Sequence, residues 1–213
     1  MIFSEFIDSL KSALALPLPG TQAQLKMTSN RRLREMMDMQ QMDKAIKSSV
    51  LILLYPGREN SLPTFVVTLR QTYNGIHSGQ ISLPGGRFES SDKDLLETAL
   101  RETNEEIGVD PFAISVIGKL TELYIPPSNY IVQPFVGFTV KYPEFHIQQT
   151  EVEKIFEIDV TQLMDESAIM EKEVFTTSGQ LSAPSFAIDR SIIWGATAMI
   201  LSEFKEILRK TSL

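Results

Sequence analysis

The stretch from residue 85 to residue 109 constrains the fold of this chain more than any other part of it. Adjacent glycines open the stretch, and Gly108 stands where a helix would need a residue with positive φ to end. Small or apolar side chains recur between them at steps of three and four residues, namely Leu96, Ala99, Leu100, Thr103 and Ile107. This spacing predicts an amphipathic helix. Ser91 is a candidate N-cap, with Asp94 as its capping-box partner.

Acidic side chains outside the apolar stripe share one side of this predicted helix: Glu102, Glu105 and Glu106. At about 100° per residue, they lie within an arc of roughly 100° on adjacent turns. Such closely spaced like charges repel each other, and the repulsion grows when they are buried. A solvated acidic face is the simplest interpretation. The preceding glycine turn favours a hard divalent cation instead, because it can bring bare backbone against the acids and a phosphate.

The segment from Arg101 to Val109 resembles the second half of the Nudix box, the signature of hydrolases that cleave nucleoside diphosphates linked to another moiety. The chain departs from the general box because Gly86 and Arg101 stand one residue further apart, and because Asp92, not Glu, lies near the first acidic position. A box lengthened in this way, with Thr-Ala-Leu-Arg-Glu at residues 98–102, resembles the coenzyme A pyrophosphatases.

The segment before the box extends the resemblance to this branch, and so does a later Pro-Ser loop. The resemblance of these two segments to the branch implies that the following residues contact the substrate: His77, Gly79, Gln80, Gly85, Gly86 and Ser128. His77 either contacts the substrate or shapes its loop. Asn74 and Gly75 replace an arginine that the branch carries beside His77, and this departure leaves other substrates open.

The resemblance also implies a catalytic set on and after the box helix. It consists of Arg101, Glu102, Glu105, Glu106 and Glu151. Glu102, Glu105 and Glu106, with the carbonyl of Gly86, would hold Mg²⁺ or Mn²⁺ ions. Such ions neutralise the charge that develops on a diphosphate and lower the pKa of bound water. Either Glu102 or Glu151 would take the proton from water, and Arg101 would orient the glutamates.

These implications lead to a function with two alternatives. The leading function is a metal-dependent hydrolase that cleaves coenzyme A or acyl-coenzyme A to 3′,5′-ADP and 4′-phosphopantetheine. The first alternative is a Nudix hydrolase of another nucleoside diphosphate derivative, such as ADP-ribose, a dinucleotide or a nucleoside triphosphate. The second is a non-catalytic Nudix module that binds a nucleotide, although binding alone does not require so unfavourable a cluster of acids.

The fold that the resemblance implies is the Nudix fold, an α/β architecture with a mixed β-sheet sandwiched between helices. Residues 45–213 would form this domain, and residues 1–44 a helical appendage. Apolar patterns along the chain predict a helix at 2–14, strands at 48–55, 63–71, 113–123 and 131–138, a hairpin at 175–187 and a final helix after Trp194. The resemblance of residues 148–160 to a family segment implies a strand there, followed by a short helix at 160–164.

Composition narrows the partners and the compartment. The net charge of −7 argues against nucleic-acid binding, which needs a basic surface. The absence of cysteine suits a reducing cytoplasm, and the first residues lack the regions of a signal peptide. No stretch approaches the ~20 apolar residues that span a bilayer. We therefore expect a cytoplasmic protein that binds a small nucleotide of coenzyme A type, and neither nucleic acid nor a membrane. The sequence is compatible with a homodimer.

Overall fold

A computed structural model describes residues 2–29, 44–58, 62–72, 79–176, 179–188 and 191–211. The helices are α1 (Phe3–Leu14), α2 (Gly20–Leu25), α3 (Leu95–Ile107), α4 (Val160–Met164) and α5 (Gly195–Leu208). The strands are β1 (Ile46–Pro56), β2 (Pro63–Arg70), β3 (Ile81–Ser82), β4 (Gly85–Arg87), β5 (Ser115–Lys119), β6 (Leu123–Ile125), β7 (Tyr130–Phe138), β8 (Val152–Asp159), β9 (Ile169–Thr176), β10 (Gly179–Ile188) and β11 (Ser191–Trp194).

The main sheet is mixed, and its central strands part to admit the box segment. β1 runs parallel to β7 and antiparallel to β2, but β1 and β2 pair only from Leu54 to Pro56 and then diverge. The chain from Ile81 to Arg87 fills the gap, with β3 paired to β2 and β4 paired to β1. The outer edge of β2 pairs with β8. This arrangement places the glycine pair of the box inside the sheet.

Helices cover both faces of this sheet, which confirms the α/β/α sandwich. Along β1, Leu51, Leu53 and Tyr55 pack in one core cluster with Ala99 and Ile107 of α3. The alternate β1 residues face the opposite core, where they pack with α1 and α5; this core includes Phe6, Leu10, Ile52, Leu54, Ile200 and Phe204. A strand that is buried on both faces reads as a continuous apolar run, as residues 48–55 do.

Most of the predicted elements are confirmed, with local differences. The predicted strand at 113–123 is divided into β5 and β6. β9 and β10 form the predicted antiparallel hairpin, although Ser178 in its turn lies outside the described residues. β11 joins this hairpin to make a second, three-stranded sheet, and α5 follows directly. None of the helices in the described ranges is long and apolar enough to cross a membrane.

The N-terminal helices pack against the same core as the predicted domain. Phe6 and Leu10 of α1 are fully buried there. α2 lies on α5, where the buried carboxylate of Glu203 accepts hydrogen bonds from the Gly20 backbone N–H and the Gln24 side-chain amide, each at 3.0 Å. The division of the chain at residue 44 stays a prediction, since residues 30–43 lie outside the described ranges.

Candidate active site

The glycine pair of β4 brings the backbone directly against the acidic helix. Gly85 has φ of 152°, and a Cβ built there would overlap the carbonyl oxygen of Ser49 on β1. A Cβ built on Gly86 would overlap the carboxylate of Glu102. Both positions therefore require glycine, the first for the packing of two strands and the second for the approach of a charged side chain.

Gly86→Ala is expected to lower the activity of the enzyme by about 100-fold, because the added methyl group must displace the Glu102 carboxylate, and a shift of about 1 Å can have an effect of this size. Steady-state kinetics measure the loss, and thermal unfolding serves as the control for folding. Activity close to that of the wild type would show that the position of Glu102 against Gly86 is unimportant.

Glu106 is a buried carboxylate beside this glycine turn. Its residue is 1% exposed, and its Oε2 accepts a hydrogen bond from the Gly85 backbone N–H at 3.2 Å. The Arg70 guanidinium lies 3.6 Å from its Oε1. Burial raises the pKa of Glu106 to about 8, and the charges of Glu102 and Glu151 act in the same direction. A cation placed here would stabilise the charged carboxylate.

Glu102 lies one turn earlier on α3 and has a related environment. Its side chain is 14% exposed, and Oε1 accepts a hydrogen bond from Arg101 Nη1 at 3.0 Å. Burial raises the pKa of Glu102, Arg101 opposes the rise, and the charges of Glu105 and Glu151 add to it. Glu102 and Glu106 are thus two incompletely compensated carboxylates on one helix, the first against Gly86 and the second against Gly85.

Glu105, the third predicted metal ligand, has a different environment. Its side chain is about half exposed, and its Oε2 accepts a hydrogen bond from Arg101 Nη1 at 2.9 Å. Among the described residues, no three acidic or histidine side chains are grouped closely enough to hold a metal ion. The donor set nevertheless fits a hard divalent cation, because it offers carboxylate oxygens, one of them buried with a raised pKa. Glu105 would have to turn away from Arg101 to join it.

Asp92 fixes the position of Arg101. The guanidinium donates two parallel hydrogen bonds to Asp92, from Nε at 2.9 Å and from Nη2 at 3.0 Å. Asp92 is 7% exposed, and it also accepts from Thr98 Oγ1 and the Glu89 backbone N–H. The guanidinium holds the pKa of Asp92 well below its usual range. The sequence placed Asp92 near the first acidic position of the box but gave it no role.

The predicted N-cap of this helix is wrong. α3 begins at Leu95, and Asp94 is its N-cap, accepting a hydrogen bond from the Glu97 backbone N–H at 2.9 Å. Ser91 lies in the turn before the helix. The backbone N–H of Asp92 closes this turn by donating a hydrogen bond to the carbonyl of Glu89 at 3.0 Å. The predicted end is confirmed, since Gly108 is left-handed at φ of 74°.

Asp92→Asn is expected to lower activity by about 10- to 100-fold, the usual effect of losing a group that orients metal ligands. The neutral amide cannot accept both guanidinium hydrogen bonds, so Arg101 would no longer hold Glu102 in place. Steady-state kinetics measure the loss. Asp110→Asn is a matched control, because Asp110 caps only an exposed turn, where Asn caps equally well. Equal activity of both variants would contradict the role of Asp92.

Glu151 reaches the site through a loop that is attached to the end of the box helix. The Gln148 backbone N–H donates to the carbonyl of Glu106 at 3.0 Å, and the Gln71 backbone N–H donates to the carbonyl of Glu151 at 2.9 Å. The charge of Glu151 contributes to the raised pKa values of Glu102 and Glu106. The structure therefore brings this predicted residue together with the two carboxylates of the helix.

The remaining predicted substrate residues differ in how far the structure describes them. Gly79 is left-handed at φ of 64° before β3, and the carbonyl of Gln80 accepts a hydrogen bond from the Arg70 backbone N–H at 3.1 Å. Ser128 lies in the turn before β7, and its Oγ is buried without a hydrogen-bond partner in the described part of the chain. His77 lies outside the described residues. The substrate roles of all four stay predictions.

An open pocket of about 530 Å³ adjoins the carboxylates. It is lined by Arg70, Gln71, Thr72, Gln149, Thr150 and Glu151. Arg70 is a residue that the sequence analysis missed. Its only sequence signal is a charge at the end of an otherwise apolar strand, which is equally typical of a solvated strand end.

A comparison with protein families identifies the fold and the chemistry. The model described as NUDIX domain matches residues 46–177, which is more than half of the chain. The chain belongs to the Nudix family. Nudix hydrolases act on pyrophosphate bonds of nucleoside diphosphate derivatives and generally use divalent metal ions, and this protein is an enzyme of that class.

Individual relatives agree with this assignment. The chain is 31% identical over 144 residues to "Uncharacterized Nudix hydrolase NudL" of Photorhabdus laumondii, covering 68% of this chain and 76% of that one. The NudL of Yersinia enterocolitica is 32% identical over 139 residues, covering 65% and 71%. Among solved structures, the Nudix hydrolase RenU of M. smegmatis has a TM-score of 0.55 at 13% identity, covering 79% and 89%. A MutT/nudix protein of Enterococcus faecalis has a TM-score of 0.52 at 16% identity, covering 85% and 70%. These structures support the fold alone.

Proposed function

We propose that this Nudix hydrolase cleaves the diphosphate linkage of coenzyme A or acyl-coenzyme A, yielding 3′,5′-ADP and 4′-phosphopantetheine, in the cytoplasm and with Mg²⁺ or Mn²⁺. One observation carries the proposal. The segment with the resemblance to coenzyme A pyrophosphatases, from Gly79 to Gly86, is the segment that enters the sheet and places its glycines against Glu102 and Glu106.

The chemistry follows from the charges. Water attacks a diphosphate slowly because the phosphoryl oxygens are already negative, and a divalent cation supplies the neutralising charge and a more acidic bound water. We assign Glu102, Glu106 and the carbonyl of Gly86 to holding that cation, with Glu105 as a further carboxylate. Arg101, fixed by Asp92, keeps the glutamates in place.

Glu151 is better placed than Glu102 to take the proton from water. Glu102 accepts a hydrogen bond from Arg101 at 3.0 Å, which competes with a proton. The side chain of Glu151 is exposed and lines the open pocket, and within the described ranges it accepts no hydrogen bond. A general base needs a free lone pair that faces the reacting water, and we assign this role to Glu151 because its carboxylate is free in the described part of the chain and lines the pocket.

The test is release of phosphate-containing products from coenzyme A, ADP-ribose, NADH and a nucleoside triphosphate, each with Mn²⁺, Mg²⁺ or EDTA. We expect kcat/KM for coenzyme A to exceed the others by at least about tenfold, and EDTA to abolish turnover. A preference for another diphosphate would reject the coenzyme A proposal while leaving the family chemistry intact. Light scattering of the same preparation tests for a homodimer.

A second candidate substrate class has one specific observation in its favour. Asn74 and Gly75 stand where coenzyme A pyrophosphatases carry an arginine beside His77. ADP-ribose, a dinucleotide or a nucleoside triphosphate is then the alternative, and the same panel separates it from coenzyme A. The buried Glu106, with its raised pKa, counts against the non-catalytic alternative, because a protein that only binds gains nothing from an incompletely compensated buried acid.

A further inference from the structure

We propose that Arg70 forms a phosphate-binding position between the catalytic carboxylates and the open pocket, and that it binds a phosphoryl group of the substrate. The inference rests on the proposed function only in requiring a phosphorylated substrate, and it does not depend on coenzyme A. It is carried by three observations: the strand geometry at Arg70, the unsatisfied donors of its guanidinium, and the lining of the pocket.

The regular pairing of β2 with β8 is interrupted at Arg70. On β2, Leu69 stands opposite Lys154 of β8, whereas Arg70 stands opposite Val152, so that β8 has one extra residue at this point. Such bulges increase the local twist and re-aim side chains, often beside active sites. The Arg70 backbone N–H donates to the carbonyl of Gln80 at 3.1 Å, which fixes the end of β2 beside the segment that leads into the box.

The guanidinium is incompletely satisfied. Its Nη1 lies 3.6 Å from Glu106 Oε1, which is longer than the 2.7–2.9 Å of a charge-assisted hydrogen bond. Its Nε is buried and has no hydrogen-bond partner among the residues that the structure describes. A buried donor without an acceptor is unfavourable, so the Arg70 side chain is held only weakly by the protein, and its exposed part, 29% of the side chain, can be reached by an acceptor in the pocket. The planar guanidinium fork matches two oxygens of a phosphoryl group.

The pocket beside Arg70 has the size and polarity for part of a nucleotide. Its volume of about 530 Å³ lies in the range of small-molecule sites. Arg70 is the positively charged residue of its lining, and Glu151 is the negatively charged one. The other lining residues, Gln71, Thr72, Gln149 and Thr150, are neutral and polar. An anionic group that enters this pocket is attracted to Arg70, next to the carboxylates that carry out the chemistry.

The competing explanation is that Arg70 serves only as a counter-charge for Glu106. That role would be best fulfilled by a short hydrogen bond to the carboxylate, and it gives no purpose to the buried, unpartnered Nε. The two explanations differ in what the loss of Arg70 changes. Loss of a phosphate contact weakens substrate binding, whereas loss of a counter-charge alters turnover through Glu106.

The experiment compares the wild type with Arg70→Gln and Arg70→Lys. We expect Arg70→Gln to raise KM by about 10- to 100-fold, the effect of losing a charge-assisted contact, with kcat changed much less. Arg70→Lys should recover part of the loss, because it keeps the charge without the fork. Calorimetry with α,β-methylene-ADP and Mg²⁺ should show a parallel weakening, since this probe binds without being cleaved.

Lys154→Gln is the matched control. Lys154 is a neighbouring cation on β8 that stacks on the Phe156 ring and does not line the pocket. Its KM and probe affinity should equal those of the wild type. Unchanged KM and affinity in Arg70→Gln would overturn the proposal, and so would a fall in kcat with unchanged affinity. If Arg70→Gln fails to fold, Arg70→Lys carries the test by the same criteria. A wild type that binds the probe through Arg70 but does not cleave coenzyme A would reject only the proposed substrate.

Discussion

Glu106→Gln is expected to lower metal-dependent turnover by about 10³-fold, the effect of removing several kcal/mol of charge stabilisation from the transition state. Glutamine has the same shape as glutamate and can keep the hydrogen bond from Gly85, so the variant removes the charge with little change in packing. Steady-state kinetics with Mn²⁺ measure the effect. Turnover equal to that of the wild type would contradict a catalytic role for Glu106.

The stability of the same variant separates a catalytic effect from misfolding. In the metal-free protein, the pKa of Glu106 is raised from an ordinary 4.5 to about 8, so the folded chain binds more protons than the unfolded chain between these values. By linkage, this group lowers stability progressively as pH rises from about 4.5 to 8, and no further above that range.

Glu106→Gln lacks this contribution. Its free energy of unfolding relative to the wild type should therefore increase from pH 5 to pH 8, measured by urea unfolding in EDTA. Glu97→Gln is the matched control for both measurements. Glu97 lies on the same helix with its side chain about 42% exposed, and its variant should keep the turnover and the folding of the wild type. A variant that is inactive because it is unfolded would show the opposite sign of the stability effect at pH 8.

Glu203→Ala is expected to lower the free energy of unfolding by about 3–5 kcal/mol, and the Tm by roughly 10 °C. The Glu203 carboxylate is fully buried and accepts hydrogen bonds from several donors: the backbone N–H of Gly20, the side-chain amide of Gln24, and both the backbone N–H and the Oγ1 of Thr121. Alanine would leave these donors without an acceptor in a site that water does not reach. Urea unfolding, followed by one spectroscopic signal that reports on the whole chain, measures the change in the free energy of unfolding.

Glu206→Ala is the matched control on the same helix. Glu206 pairs with Lys26 at 2.8 Å and Arg209 at 2.9 Å, but it lies near the surface, where such pairs contribute at most about 1 kcal/mol. A loss of less than about 1 kcal/mol in Glu203→Ala would contradict the account that this carboxylate joins α2 to the core. A separate unfolding transition at lower urea concentration would indicate that the N-terminal helices unfold independently of the rest of the chain.

The sequence predicted the parts of the fold that local patterns encode. The apolar run at 48–55 marked the central strand because helices cover both of its faces. The stripe from Leu96 to Ile107 marked the box helix, and Gly108 marked its end. Glu102, Glu106 and Glu151 were predicted together from the resemblance, and the structure brings them to one place because the 141–151 loop bonds to the last turn of that helix.

Other features depend on contacts between distant segments, which local patterns do not record. Ser91 was an equally good N-cap by composition, but Asp94 takes that position, and Asp92 between them pairs with Arg101 nine residues away. The half-exposed position of Glu105 follows from the same arginine. Arg70 became a site residue only because β1 and β2 diverge and admit the box segment between them, a property of the sheet rather than of either strand.

We propose that Glu102, which lies against Gly86, and Glu106, which accepts a hydrogen bond from Gly85, form the cation site of this diphosphate hydrolase. Calorimetric titration with Mn²⁺, in the absence of substrate, tests it most directly in the wild type and in Glu106→Gln. We expect the wild type to bind Mn²⁺ and the variant to bind it more than about 100-fold more weakly, since a charged ligand in a buried position is lost. Equal Mn²⁺ affinity in the two proteins would contradict it.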